Sequence, residues 1–405
     1  TLSARVSYGH SRRPSAWQGT LHTLGENPGS MFAMVETLGL AYLLKLLHQV
    51  TQPSKQDPTE FIPGAIVELS QDGRPLEKTE LAALAAGILG AMGLTEQFAA
   101  HVLLVGHGSQ SNNNPHASSL DCGACGGHSG EANVLLLSQI LNDSEVRFEL
   151  HKQGIIIPPE TQFLPALHNT TTDDIRILNG ALPPRESDWV GRATRLSRRE
   201  RAGALDTAVN DPEGLGKHLL RRANDWSQVR PEWGLAGNAG FIAAPRWRTR
   251  DRDLAGRVFL HDYDWRKDAD FEVLKLILTA PVIVAQWINS QYNASIADPV
   301  KLGAGNKVLH NVIGGTLGVL EGGAGDLRIG LTLQSVHNGR VWMHEALRLT
   351  VLVDAPADAI ADIYRAHGDL RKLVDNEWLY LLRIGDEAPL RLLADHWTPI
   401  DIPSA

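Results

Sequence analysis

The chain has 405 residues, 43% of them hydrophobic, with a formal net charge of -8 and a pI near 6.0. That length supplies enough apolar surface for roughly two to three packed domains. The acidic balance excludes a general electrostatic pull toward nucleic acid or anionic lipid, so partners must be recognised locally. Only two cysteines occur, Cys122 and Cys125, which excludes a disulfide framework and points to a reducing cytosol.

The first residues, Thr1-Leu2-Ser3-Ala4-Arg5, show neither an initiator Met nor the apolar centre of a signal peptide, and the chain is expected to begin inside a longer gene product. From Met31 to Val50 apolar residues recur at helical spacing, and Thr51 to Pro58 reads as a loop. Glu36 and Lys45 interrupt that helix, and Pro281 interrupts the apolar run 274–288, so neither offers the ~20 unbroken apolar residues of a membrane span. Residues 79–100 again read as helical. The run His101 to Val105 reads as a buried parallel strand that stops at the polar loop Gly106-His107-Gly108-Ser109. In open α/β sheets such strand ends are where ligands bind.

Beyond the loop, Glu131 to Asn142 reads as a helix, residues 144–152 as another ending at Gly154, and Thr161 to Leu167 as a strand running into His168-Asn169-Thr170-Thr171-Thr172-Asp173-Asp174. That second polar strand end could share the rim of the first. Six arginines (Arg185, Arg192, Arg195, Arg198, Arg199 and Arg201) follow, as either a docking face for an acidic partner or a solvated helix face. From about Pro231 the chain turns to glycine turns and short strand patterns, at Leu327 to Val336 and Ala346 to Val353, with an apolar helix at Phe271 to Leu278. This reads as a second α/β lobe. No repeat or low-complexity segment is visible.

Between Gly106 and Gly130 the chain places His107, His116, Cys122, Cys125 and His128 beside Asn112, Asn113 and Asn114. This density of thiolate and imidazole donors suits zinc, and the glycines of the stretch permit the sharp turns a ligand loop needs. Both cysteines precede a helix N-terminus, whose positive dipole end lowers a thiol pKa. The His-x14-Cys-x2-Cys spacing is no standard finger pattern, and at least one further ligand must come from elsewhere. Redox exchange through the CxxC pair and quiet burial of the thiols stand as alternatives.

Several blocks resemble the DabA family, the zinc-binding, β-carbonic-anhydrase-like subunit of an inorganic-carbon accumulation complex. They include Gly106-His107-Gly108-Ser109, Asp121-Cys122-Gly123-Ala124-Cys125-Gly126-Gly127, His168-Asn169-Thr170, and Arg230-Pro231-Glu232-Trp233-Gly234-Leu235-Ala236-Gly237-Asn238. Thr279-Ala280-Pro281, Trp287-Ile288-Asn289, Gly305-Asn306-Lys307-Val308, His310-Asn311-Val312, Gly325-Asp326-Leu327-Arg328 and Gln334-Ser335-Val336-His337 continue the likeness, which runs from about Phe32 to Trp378. Of these, Asn238, Thr279, Trp287, Asn289 and His337 are read as turn, helix-end and core residues rather than as part of a site.

The resemblance implies an α/β fold, with a strand-loop-helix zinc core like that of β-type carbonic anhydrase plus the second α/β lobe. Residues 1–180 would form part of the core with a helical N-terminal segment, 181–230 a basic helical connector and 231–405 the C-terminal lobe. It implies Zn2+ held by His107 and Cys122, with Cys125 lacking a metal role. The family's other ligand segment, Cys-x-Asp-x-Arg, has no match here, so the first thiolate and the catalytic aspartate-arginine dyad are expected upstream and the chain is expected to be the C-terminal portion of a longer protein. The implied function is carbonic-anhydrase-like hydration of CO2 to bicarbonate, coupled to a proton-conducting, DabB-like membrane subunit. The chain would then lie peripherally on the cytoplasmic face of the cell inner membrane. A non-catalytic zinc scaffold that binds a partner, or a thiol oxidoreductase, are the competing readings.

Overall fold

The computed structural model describes residues 2–7, 66–111, 128–205, 209, 211–224, 233–313, 318–385 and 388–400. The helix expected over Met31–Val50, the loop behind it, His116 and both cysteines fall outside these residues. In chain order the elements are β1 (Leu2–Ser7), β2 (Ile66–Gln71), β3 (Arg74–Pro75), α1 (Lys78–Ala91), β4 (His101–Gly108), α2 (Glu131–Asn142), α3 (Ser144–Lys152), β5 (Gln162–Asn169), β6 (Asp174–Ile177), α4 (Pro184–Ala202) and α5 (Pro212–Asn224). There follow β7 (Gly240–Ala244), β8 (Val258–Asp262), α6 (Glu272–Thr279), α7 (Pro281–Ala297), β9 (His310–Ile313), β10 (Gly318–Glu321), the single turn α8 (Leu333–Val336), β11 (Leu349–Asp354), α9 (Ala357–Ala366), α10 (Gly368–Asp375), β12 (Leu379–Ile384), β13 (Leu390–Leu393) and β14 (His396–Pro399).

Two compact units result. The first comprises Thr1–Ala86, Glu96–Gly234 and Ala304–Ser335, the second Gly87–Thr95, Leu235–Gly303 and Val336–Ala405. In the first unit β4 and β5 pair in parallel and β6 returns antiparallel to β5. Helix α2 lies against this sheet through Val134, Leu135, Ser138 and Leu141, all buried at the 3.6-residue spacing of one helix face. Asp143 then starts α3, its carboxylate accepting from the Glu145 and Val146 N–H groups at 2.9 and 3.1 Å. The hairpin β9–β10 belongs to the same unit.

The second unit is built on a six-stranded sheet of order β14-β13-β12-β11-β7-β8. Its four strands β12, β11, β7 and β8 are parallel. Alternate residues Leu349, Val351 and Val353 of β11 are buried with Phe241, Ala243, Leu379 and Leu381 against α6, α7, α9 and α10. Each of the leucine, valine and phenylalanine side chains contributes about 1.5–3 kcal/mol by leaving water.

The chain is thus mixed α/β with several sheets, as the sequence predicts. Helix α1 stops at Ala91, short of the expected 100. Gly93 adopts φ +66°, its N–H donates to Gly90 O, and Leu94 N–H donates to Leu89 O, which is a Schellman stop. Leu327–Val336, expected as a strand, forms no continuous ladder among the described residues: Arg328 N–H donates to Val319 O of β10, and Thr332 makes a single parallel bridge to Gly305. Leu331 O instead accepts from Ala304 N–H, Leu333 N–H donates to Gly305 O, and the chain closes the turn α8. Strand propensity needs a partner to pack against, and here the neighbouring backbone is an irregular segment. Pro281 opens a 17-residue helix rather than ending one, because a proline at N1 loses no helical hydrogen bond. The stretch Glu272–Ala297 is apolar and long enough to cross a membrane. Yet Leu274, Ile277, Leu278, Val282 and Ala285 in it are buried in the sheet core.

Candidate functional site

The site is best followed from β4. Its apolar run Val102 to Val105 carries His107 to the carboxyl end of the parallel pair, with glycines on both sides. Gly106 has no room for a side chain, since a Cβ there would lie 2.7 Å from Gly130 O. This close approach lets Gly130 N–H donate to His107 O at 2.7 Å. The chain that leaves β4 after Gly108 therefore returns onto the backbone of His107, immediately before α2. Ser129 Oγ accepts from Glu131 N–H at 3.1 Å, and the Glu131 side chain is buried in the first turn of α2.

On the neighbouring strand His168 stands opposite His107, and Asn169 opposite Gly108. Paired positions of a parallel ladder project from the same face, so both imidazoles belong to one face at one strand end. The expected shared rim is therefore present. Thr170 N–H donates to Gly108 O at 2.8 Å and fastens the two strand ends.

The turn after β5 is braced by charge. Asp173 sits at φ +58°, a left-handed conformation that aspartate tolerates better than most side chains. Its buried carboxylate receives His168 Nε2 at 3.1 Å and Arg201 Nη1 at 2.6 Å. Burial pushes this carboxyl up, but the bonds to His168 and Arg201 outweigh that and hold it below its ordinary range. Arg201 also donates to Thr170 O, Arg198 donates to Thr172 O and pairs with Asp174 at 2.6 Å, and Thr194 Oγ1 donates to Asp173 O. Residues 194, 198 and 201 share one face of α4. The arginine-rich helix, left open by the sequence, thus spends Arg198 and Arg201 on the site turn.

The loop that leaves His107 is fastened from two sides. Gln110 is buried, and its N–H donates to Thr171 Oγ1 at 2.9 Å. Its side-chain amide donates to Asn224 at the end of α5 and accepts from Asn169. On the other side Lys307 Nζ lies 3.5 Å from Ser111 Oγ. Gln110, Glu131, Asp173 and Lys307 are buried polar residues that sequence reasoning did not single out. Asp173 stood in the expected polar strand end and Lys307 in a quoted motif, which were the available signals.

Of the expected zinc ligands, His107 occupies the strand end, and Cys122 lies outside the described residues, between the fastened points Ser111 and His128-Ser129-Gly130. His128 is exposed. Among the described residues no group of three or more His, Cys, Asp or Glu side chains could hold a metal ion. An imidazole at a glycine-flanked strand end fits as one borderline nitrogen ligand, and the remaining donors would have to come from elsewhere. Asn238 and Asn289 form a buried pair in the second unit, with Asn289 donating to Asn238 Oδ1 at 3.0 Å. Thr279 donates to Lys275 O within its own helix, and the His337 ring packs edge-on against Trp342 at 4.9 Å. Trp287 is 64% exposed, which is not the core place expected of it.

A family model described as "Probable inorganic carbon transporter subunit DabA" matches residues 4–379. A protein of Hydrogenovibrio crunogenus with that name is 52% identical over 382 residues, 94% of this chain and 46% of the relative. Its counterpart in a Marinomonas species is 46% identical over 397 residues (96% and 48%), and that of Chloroflexus aggregans 50% identical over 380 residues (89% and 45%). The chain spans about half the length of the curated relatives it matches. No solved structure matches it.

Proposed function

Because this chain belongs to the DabA family of probable inorganic carbon transporter subunits, we propose that it contributes His107 and Cys122 to a zinc site of the β-carbonic-anhydrase kind. The site would interconvert CO2 and bicarbonate during carbon uptake. The observation that supports this most is the closure of the loop onto its own strand end. Gly130 N–H holds His107 O, and Gln110 is locked to Asn169, Asn224 and Thr171. The described flanks of the stretch carrying Cys122, at Gln110 and at Gly130, are both fastened at the strand end of His107, in keeping with a shared site for two ligands that are 15 residues apart in sequence.

Bound zinc would supply a water whose pKa falls toward ~7, and hence a hydroxide for CO2. This chain's residues do the placing. His107 offers a nitrogen from a rigid strand rather than from a loop. The Asp173 brace keeps His168 and the second strand end in position beside it. A first thiolate and a dyad carboxylate-guanidinium pair are assigned to the part of the protein outside this chain. The partner is a proton-conducting membrane subunit, with this protein peripheral on the cytoplasmic face of the inner membrane.

Metal analysis of the full-length protein tests the site. We expect about one zinc per protein, lost in His107→Ala and in Cys122→Ala. Zinc that is absent from the wild type, or undiminished in both variants, overturns the assignment. For uptake, expression with the membrane partner in a carbonic-anhydrase-deficient host is expected to restore growth in air, and His107→Ala is expected to abolish the rescue.

A further inference from the structure

The register of the four parallel strands in the second unit sorts their side chains onto two faces. Phe241, Val351 and Leu381 stand in one transverse row and are 4%, 0% and 0% exposed, packed in the core with α6, α7, α9 and α10. One position further along, Leu260, Ile242, Leu352 and Leu382 form the next row, across β8, β7, β11 and β12, and project from the opposite face. None of these four aliphatic side chains is buried, and Leu260 is 38% exposed.

The connections between the strands account for this asymmetry. The passages from β8 to β11 and from β11 to β12 both advance toward β12, and they carry α6 and α7, then α9 and α10. The passage from β7 to β8 advances the other way. Parallel crossovers are right-handed, so connections of opposite direction lie on opposite faces. The β7–β8 connection, 245–257, has one 3-10 turn, Arg246–Arg248, and no α-helix. It covers a corner of the second face, where Arg248 Nε donates to Asp354 Oδ2 at 2.5 Å. Between this loop and the sheet lies a cleft of about 500 Å3, with Ile242, Leu254 and Ile384 in its lining and Trp247, 54% exposed, at its side.

Parallel sheets in α/β proteins are covered by helices on both faces. The aliphatic row spans three strand spacings of about 4.8 Å, a width that one helix about 10–12 Å across fills. The curated relatives have about as many residues again as this chain matches, since it accounts for 46%, 48% and 45% of three of them. A segment of the same polypeptide is held near the sheet at an effective concentration of about millimolar, an advantage that a separate molecule lacks.

We propose that the row Leu260, Ile242, Leu352 and Leu382, with the cleft beside Trp247, is the docking surface for an amphipathic helix from the part of the same protein outside these 405 residues. That helix lays an aliphatic stripe on the row and completes the sheet's second cover. This docking does not depend on the zinc reading.

Photo-cross-linking of the full-length protein with its membrane partner tests it. One variant carries Leu260→p-benzoylphenylalanine and another Trp247→p-benzoylphenylalanine. Both positions are exposed enough to take the larger ring, so either variant decides if the other fails to fold. The expected product keeps the mass of one full-length chain, and peptide mass spectrometry joins the labelled position to a segment outside the 405 residues. Joining to a second copy, to the membrane subunit or only to residues within the 405 overturns the proposal, as does the absence of any cross-link. Adding Leu260→Asp to the Trp247 variant, which sets a charge on the row, is expected to cut the yield by about fivefold or more. A smaller loss overturns the assignment of the row.

Discussion

At the residue scale, His344 shows how burial decides a proton's place. Its Nδ1 accepts from Gly237 N–H at 2.9 Å and its Nε2 meets Asn293 Oδ1 at 2.7 Å, which requires the neutral ring with the proton on Nε2. Burial first, and Arg257 second, hold its pKa at about 4, against an ordinary 6.5. Between these values the unfolded chain takes up a proton that the folded chain refuses. Stability is then whole above pH ~6.5 and falls as pH drops toward ~4, by about 1.4 kcal/mol per pH unit and about 3 kcal/mol in all. Urea denaturation of the second unit at stepped pH should show this slope, and His344→Asn should flatten it by about one proton. Asp173 acts lower on the scale. Its folded pKa lies below the unfolded value near ~3.9, so its contribution is complete above that value and disappears as pH falls through the folded one. Asp173→Asn should remove this acid-limb dependence.

At the element scale, α4 is a brace whose working face is two arginines and a threonine. Arg201→Ala leaves the buried Asp173 carboxylate with only His168 and should cost about 3 kcal/mol by denaturant titration. Arg195→Ala, on a half-exposed residue whose carboxylate neighbour Asp188 is only within 4.0 Å, should change stability by less than about 0.5 kcal/mol. A double-mutant cycle with Asp173→Asn would attribute the difference to the pair. The return of the loop to β4 is equally local. Gly106→Ala puts a methyl group 2.7 Å from Gly130 O, and neither backbone can yield without loosening the other. It should cost about 1–3 kcal/mol and lower the zinc content of the full-length protein.

At the scale of the molecule, the two units use their sheets differently. The second packs four parallel strands against helices as a conventional core. In the first, among the described residues, the carboxyl end of the short parallel pair meets the arginines of α4 and the Gln110 loop. Since the relatives are about twice as long, the isolated 405-residue chain is expected to hold well below one zinc per chain while the full-length protein holds about one. Elemental analysis of both decides this. Stoichiometric zinc on the isolated chain would show that no outside ligand is needed.

Much of the candidate site could be read directly from the sequence. The unit β4, α2, α3, β5 follows from apolar periodicity and glycine placement, both local in sequence, whereas the Asp143 cap of α3 was found in the structure. The pairing of His107 with His168 was expected only as a shared rim. Its register needed the ladder itself. Long-range contacts account for the rest. Charge counting cannot tell a solvated arginine from Arg198 or Arg201, because the carboxylates and carbonyls they meet lie on another element. Pro281 reads as a break until the preceding helix is seen to end at Thr279. Lys307 looks like any surface lysine until Glu321 and Gln334 clamp its backbone and Ser111 arrives from a distant part of the chain. Local pattern determined where the strand, loop and helix of the site lie. Only the tertiary structure decided which charges face them, because desolvation and pairing depend on neighbours the sequence does not place side by side.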